Sequence, residues 1–63
     1  MDILAVQQRL LDAGLSYCES IHYDTYVVNV IERNSVILNP RNKVRHDAWK
    51  AVAEWLDKRE AGE

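Results

Sequence analysis

One cysteine, one proline, two glycines and no phenylalanine occur in this chain of 63 residues. The single thiol, Cys18, excludes an intramolecular disulfide and fits a reducing compartment. With only Gly14 and Gly62, no glycine-rich loop exists to cradle a phosphate. Apolar runs extend over only a few residues, which argues against a transmembrane helix or a signal peptide. No internal repeat, linker or low-complexity stretch is visible. His22 and His46 are isolated, Cys18, His22 and His46 do not match a zinc spacing, and the carboxylates are scattered. No catalytic residue, metal ligand or cofactor site is therefore assigned, and an enzyme is not expected.

What the chain does have is a globular balance, with 48% apolar and 29% charged residues. Its length allows a single small domain, residues 1–63, burying about 60% of the surface that the unfolded chain exposes. Most apolar residues are needed for that core, and few are spare for a substrate pocket. The net charge of -2 conceals a segregation. Residues 1–32 carry Asp2, Asp12, Glu19, Asp24 and Glu32 against Arg9 alone. Residues 33–50 carry Arg33, Arg41, Lys43, Arg45 and Lys50 against Asp47. Such separation puts fields of both signs on one small body, and fields steer association.

Ile3, Val6, Leu10 and Leu11 recur at helical spacing, which predicts a helix from Ile3 to Ala13 with Asp2 as N-cap and Gly14 as terminator. From Leu15 to Asn39 the chain is rich in Tyr, Val, Ile and Thr. Strands are expected at Ser16–Tyr23, Tyr26–Glu32 and Ser35–Leu38, joined by two-residue turns at Asp24-Thr25 and Arg33-Asn34. Asn39-Pro40 reads as the start of a second helix that runs to about Arg59 and is regular from about Lys43. On it Val44, Ala48, Ala51, Val52, Trp55 and Leu56 share one arc, with Trp55 near its middle and Trp49 at its edge. Glu54 and Lys58 make an i, i+4 pair. The expected fold is α+β: α-β-β-β-α, a three-stranded antiparallel meander with two helices packed on one face.

Alternation along the strands divides the sheet into two faces. Cys18, Ser20, His22, Val27, Asn29, Ile31, Val36 and Leu38 form one, without formal charge. Tyr17, Glu19, Ile21, Tyr23, Tyr26, Val28, Val30, Glu32 and Ile37 form the other. Burying Glu19 unpaired would cost several kcal/mol, which points the helices at the uncharged face and leaves the acidic, tyrosine-rich face open. The converse puts the tyrosines in the core, and a single bulge would reshuffle both sets.

The open face then offers partner-binding candidates: Tyr17, Glu19, Tyr23, Asp24, Tyr26 and Glu32, extended by Asp47, Glu54 and Asp57 on the second helix. Acids at such spacings can imitate a phosphate backbone. The alternative is a nucleic-acid-binding module using Arg41, Lys43, Arg45 and Lys50, although the acidic balance opposes phosphate contact. A third possibility is an assembly subunit pairing through a strand edge or the open face.

Two resemblances bear on these readings. Element order, together with Lys43, Arg45, Ala48, Val52, Ala53 and Leu56 in the second helix, resembles the double-stranded RNA-binding domain. That resemblance implies duplex binding through the basic helix start. Where that family has a Gly-Pro-x-His loop, however, this chain has Asp24-Thr25. In size and acidity the whole chain also looks like the small phage-encoded inhibitors of the anti-CRISPR type. A cytoplasmic protein of a bacterial host cell, monomeric or weakly dimeric, is expected, and that likeness implies an inhibitor of a host defence complex. It would bind a basic, DNA-reading surface on a host protein or ribonucleoprotein complex, with no membrane involvement.

Overall fold

A computed structural model describes residues 1–62. In chain order it contains α1 (Ile3–Asp12), β1 (Ser16–His22), β2 (Thr25–Glu32), β3 (Ser35–Leu38), β4 (Arg41–Asn42) and α2 (Arg45–Glu60). The architecture is α+β, with both helices on one face of an antiparallel sheet. The sheet runs β1-β2-β3, and β4 pairs with the opposite end of β2 from β3.

The first helix forms as its sequence dictates. Asp2 accepts the Leu4 amide at 3.0 Å, satisfying one of the donors that a helix start leaves free. At the other end Gly14 takes φ 78°, the Leu15 amide donates to the Leu10 carbonyl, and the Gly14 amide donates to that of Leu11. This is the Schellman pattern, and it folds Leu15 back into the core, where it is buried.

The Arg33-Asn34 turn has positive φ at both central residues (51° and 66°), as a type I′ hairpin requires. The first turn lies one residue earlier than expected, at Tyr23-Asp24, so His22 pairs with Thr25 and Glu19 with Val28. Relative to the expected Asp24-Thr25 turn, the register moves by two residues, and the division of β1 and β2 into faces survives.

Asn39-Pro40 does not begin the second helix. It interrupts a strand whose two pieces, β3 and β4, both pair with β2. Proline suits this break because it donates no ladder hydrogen bond, while its carbonyl still accepts the Val28 amide at 3.0 Å. The helix starts at Arg45, with Val44 as N-cap and the Asn42 side chain accepting the Val44 amide. A bulge at Ile37 pairs Val36 with Ile31 but Leu38 with Val30. Leu38 therefore joins the opposite face from the one its parity assigned.

The core holds Val6, Leu10, Leu15, Val28, Val30, Ala48, Trp49, Val52 and Leu56, with Tyr17, Tyr26, Leu38 and Trp55 packed against it. The helices thus cover the tyrosine face and leave the uncharged one open, the reverse of the expected assignment. Trp49, fully buried, occupies the middle of the α2 contact, whereas Trp55 is only partly buried and Ala51 and Val44 are exposed.

Candidate functional site

Glu19 explains the reversal. Its carboxylate is not unpaired on the covered face. Arg45 grips it with two hydrogen bonds, Nε to Oε2 at 2.7 Å and Nη2 to Oε1 at 3.0 Å, and the Trp49 indole N–H donates to Oε2 at 2.9 Å. Arg45 and Trp49 stand four residues apart, on the one side of α2 that reaches Glu19 of β1. The guanidinium fork matches a carboxylate edge, and a buried indole N–H needs an acceptor, so one side chain satisfies both. The ring of Tyr17 meets that of Trp49 edge-on, 5.4 Å between centroids at 83°. Three hydrogen bonds outweigh the penalty that unpaired burial would carry.

These bonds hold the Glu19 carboxyl below its ordinary value. The Arg45 hydrogen bond is the main cause and the Trp49 bond adds to it, while burial opposes both. A carboxyl with a depressed folded pKa contributes stability above its unfolded value and loses it as pH falls through the folded one. Stability should therefore decline as pH falls below about 4.5, the ordinary glutamate value. Glu19→Gln should flatten that decline, read from urea midpoints across an acid series. An unchanged slope would show that the Arg45 contact contributes nothing.

Most of the other acids expected to face a partner are held within the fold. Glu32 bonds Arg59 at 3.0 Å, and Arg59 also lies over the Trp55 ring, 5.2 Å from its centroid. Asp57 and Glu60 both bond Arg9, at 2.9 and 3.0 Å, tying α2 to α1. Asp24 faces Lys43 at 3.6 Å, and Asp47 lies 3.7 Å from His46. Glu54 is exposed, with no ion pair among the described residues, and the expected pair with Lys58 is not formed. Tyr17, Glu19 and Tyr26 lie under the helices, so they do not form an open contact surface. Of the basic set, Arg45 is engaged by Glu19 and Lys43 by Asp24. Arg41 and Lys50 make no ion pair among the described residues, and Arg41 stands opposite Val27 on the open face.

One end of the molecule gathers members of both sets. The β1–β2 turn supplies Tyr23 and Asp24, and the Asp24–Lys43 contact sets that turn beside the segment from Arg41 to Arg45. Ile21 and Val44, 60% and 52% exposed, lie at this same end. Tyr23 stands out. Its side chain is fully exposed, at 103%, and its backbone has φ 60°, a region that L-residues rarely adopt. Asp24 is not in that region, so the turn has the sign pattern of type II′, whose first central position favours glycine. The sequence offered a faint signal: a tyrosine next to the turn-forming Asp24.

Among the described residues there is no enclosed pocket, no group of three or more His, Cys, Asp or Glu placed to hold a metal ion, and no helix long and apolar enough to cross a membrane. No protein-family model, curated protein or solved structure matches the chain.

Proposed function

We propose that this chain is a non-enzymatic binding protein that anchors on a larger protein or ribonucleoprotein partner through Tyr23. The carrying observation is the Tyr23 residue itself, a fully exposed aromatic ring on a backbone conformation that glycine would adopt without strain. Folding gains nothing from that ring. Strain without a folding benefit points to contact with something else. Tyrosine also combines a large apolar ring, a polar tip and few torsions to freeze, which is why it recurs among binding hot spots. Ile21 and Val44 widen the apolar part of this end, and the Asp24–Lys43 pair lies beside it. The activity that follows is occlusion, since a 7.3 kDa body seated on a partner blocks the surface beneath it.

Acidic mimicry of a phosphate backbone has less support, because Glu19, Glu32 and Asp57 each bond an arginine of the same chain. The test is affinity capture from a bacterial lysate with wild type, Tyr23→Gly and Glu54→Gln. Proteins retained by wild type and Glu54→Gln but lost by Tyr23→Gly support the anchor. Equal capture by all three removes it.

A second reading, duplex nucleic-acid binding, draws on the Asp24–Lys43 contact, which brings the hairpin turn beside Arg41 and Lys43. In the same work, titration with duplex RNA and DNA would separate the two readings. Phosphate contact weakens steeply as salt rises, whereas a tyrosine-anchored protein contact does so far less.

A further inference from the structure

We propose that the surface on which Tyr23 seats is an acidic protein surface, and that the contact continues from the β1–β2 turn onto the adjoining half of the open sheet face, at Arg41. This rests on the Tyr23 reading and gives the partner its chemistry, the reverse of the basic surface that the acidic composition suggests.

Charge is sorted across the thickness of the molecule. Every carboxylate among the described residues lies on a helix or its N-cap, on the face the helices cover, or in the β1–β2 turn. The open face has none. It does carry one guanidinium. Arg41 pairs with Val27, so the two side chains share a face, and Val27 alternates along β2 with the core residue Val28. Arg9, Lys43, Arg45 and Arg59 are each met by an acid of this chain. Arg41 is exposed and is met by none among the described residues.

Around Arg41 the open face presents neutral hydrogen-bonding groups. Val27 is only 4% exposed, so polar side chains rather than apolar surface meet a partner there. Ser20 flanks Val27 on the β1 side. Asn29 lies diagonally from Arg41 across β2 and β4, about 7–8 Å away. Its Oδ1 accepts from Asn39 at 3.2 Å, which leaves its Nδ2 donors for a ligand. A guanidinium and a side-chain amide on one sheet suit carboxylate oxygens. His22 and Thr25, the last pair before the turn, join this patch to Tyr23.

The same features select the occupant. Two copies stacked open face to open face would desolvate both Arg41 side chains with no carboxylate on either face to meet them. A nucleic acid finds no aromatic ring on this face for a base to stack on, and a single cation for its phosphates. A carboxylate-bearing protein surface needs only one guanidinium and neutral donors beside it.

The probe is a synthetic peptide of alternating glutamate and alanine, titrated into the 15N-labelled protein beside its glutamine counterpart. Amides of Tyr23, Thr25, Val27, Asn29 and Arg41 should shift with the glutamate peptide, and the glutamine peptide should bind about tenfold more weakly. Arg41→Glu should weaken binding about tenfold. Lys58→Glu makes the same charge change at an exposed position on α2 and should weaken it less than about twofold. Equal loss in the two reversals, shifts confined to the helices, or no shift at millimolar peptide would overturn the proposal. Tighter binding of a single-stranded oligonucleotide, or self-association that shifts the same amides, would overturn the choice of occupant. Loss on Tyr23→Gly with none on Arg41→Glu would contradict the acidic seat alone. Loss on Arg41→Glu with none on Tyr23→Gly would contradict the Tyr23 anchor and leave the Arg41 seat supported.

Discussion

Trp49→Ala should leave the chain largely unfolded at 25 °C. Domains of this length hold about 3–9 kcal/mol in total, and truncating a buried tryptophan costs about 3–5 kcal/mol. Trp49 is fully buried, meets Tyr17 edge-on and donates to Glu19. Its removal opens a cavity between α2 and the sheet and takes one of the three hydrogen bonds from a half-buried carboxylate. Trp49→Phe separates the two losses. It keeps most of the volume and removes only the N–H donor, so it should cost about 1–3 kcal/mol. Urea denaturation followed by far-ultraviolet circular dichroism reads both variants. A midpoint for Trp49→Ala equal to wild type would mean that α2 does not dock through this residue.

The second large effect falls on binding rather than stability. Tyr23→Gly should reduce affinity for the captured partner about 30-fold, the ~2 kcal/mol of a hot-spot anchor. Its effect on folding should be small. The left-handed conformation costs an ordinary residue roughly 1–2 kcal/mol, relief that the greater freedom of an unfolded glycine partly cancels. The side chain touches too little of the protein to be missed, as its full exposure shows. Wild-type affinity in a folded Tyr23→Gly protein would place the contact surface elsewhere. Loss of folding would show instead that the ring is structural.

Much of the fold was legible in the residues. Asp2 and Gly14 framed the first helix because a capping carboxylate and a left-handed glycine act within a few residues of themselves. The Arg33-Asn34 turn was legible for the same local reason. Which sheet face the helices cover was not. That choice turned on Glu19, and its cost depends on Arg45 and Trp49, 26 and 30 residues away. A carboxylate judged alone belongs in water; one gripped by a guanidinium fork and an indole belongs under a helix. Arg45 and Trp49 at i, i+4 spacing were the available clue. Pro40 misled for a related reason, since the same residue suits a helix start and a strand break, and only the pairing of Arg41 and Asn42 with β2 decides between them.

The candidate site was legible in part. The sequence places Tyr23 and Asp24 on a sheet face that the helices cover, yet both project from its end. In the sequence alone Glu32, Glu19 and Asp57 look like free charges. They are ion-paired because the acidic first half and the basic middle of the chain fold against each other.

Cys18 supplies the most direct test of which face is open. It is the only thiol, it alternates with Tyr17 and Glu19 along β1, and it is exposed. In the native protein it should react with a disulfide-exchange reagent at a rate within a few-fold of that in denaturant. A thiol that stays protected until the chain unfolds would place Cys18 beneath the helices, and the covered and open faces would have to be exchanged.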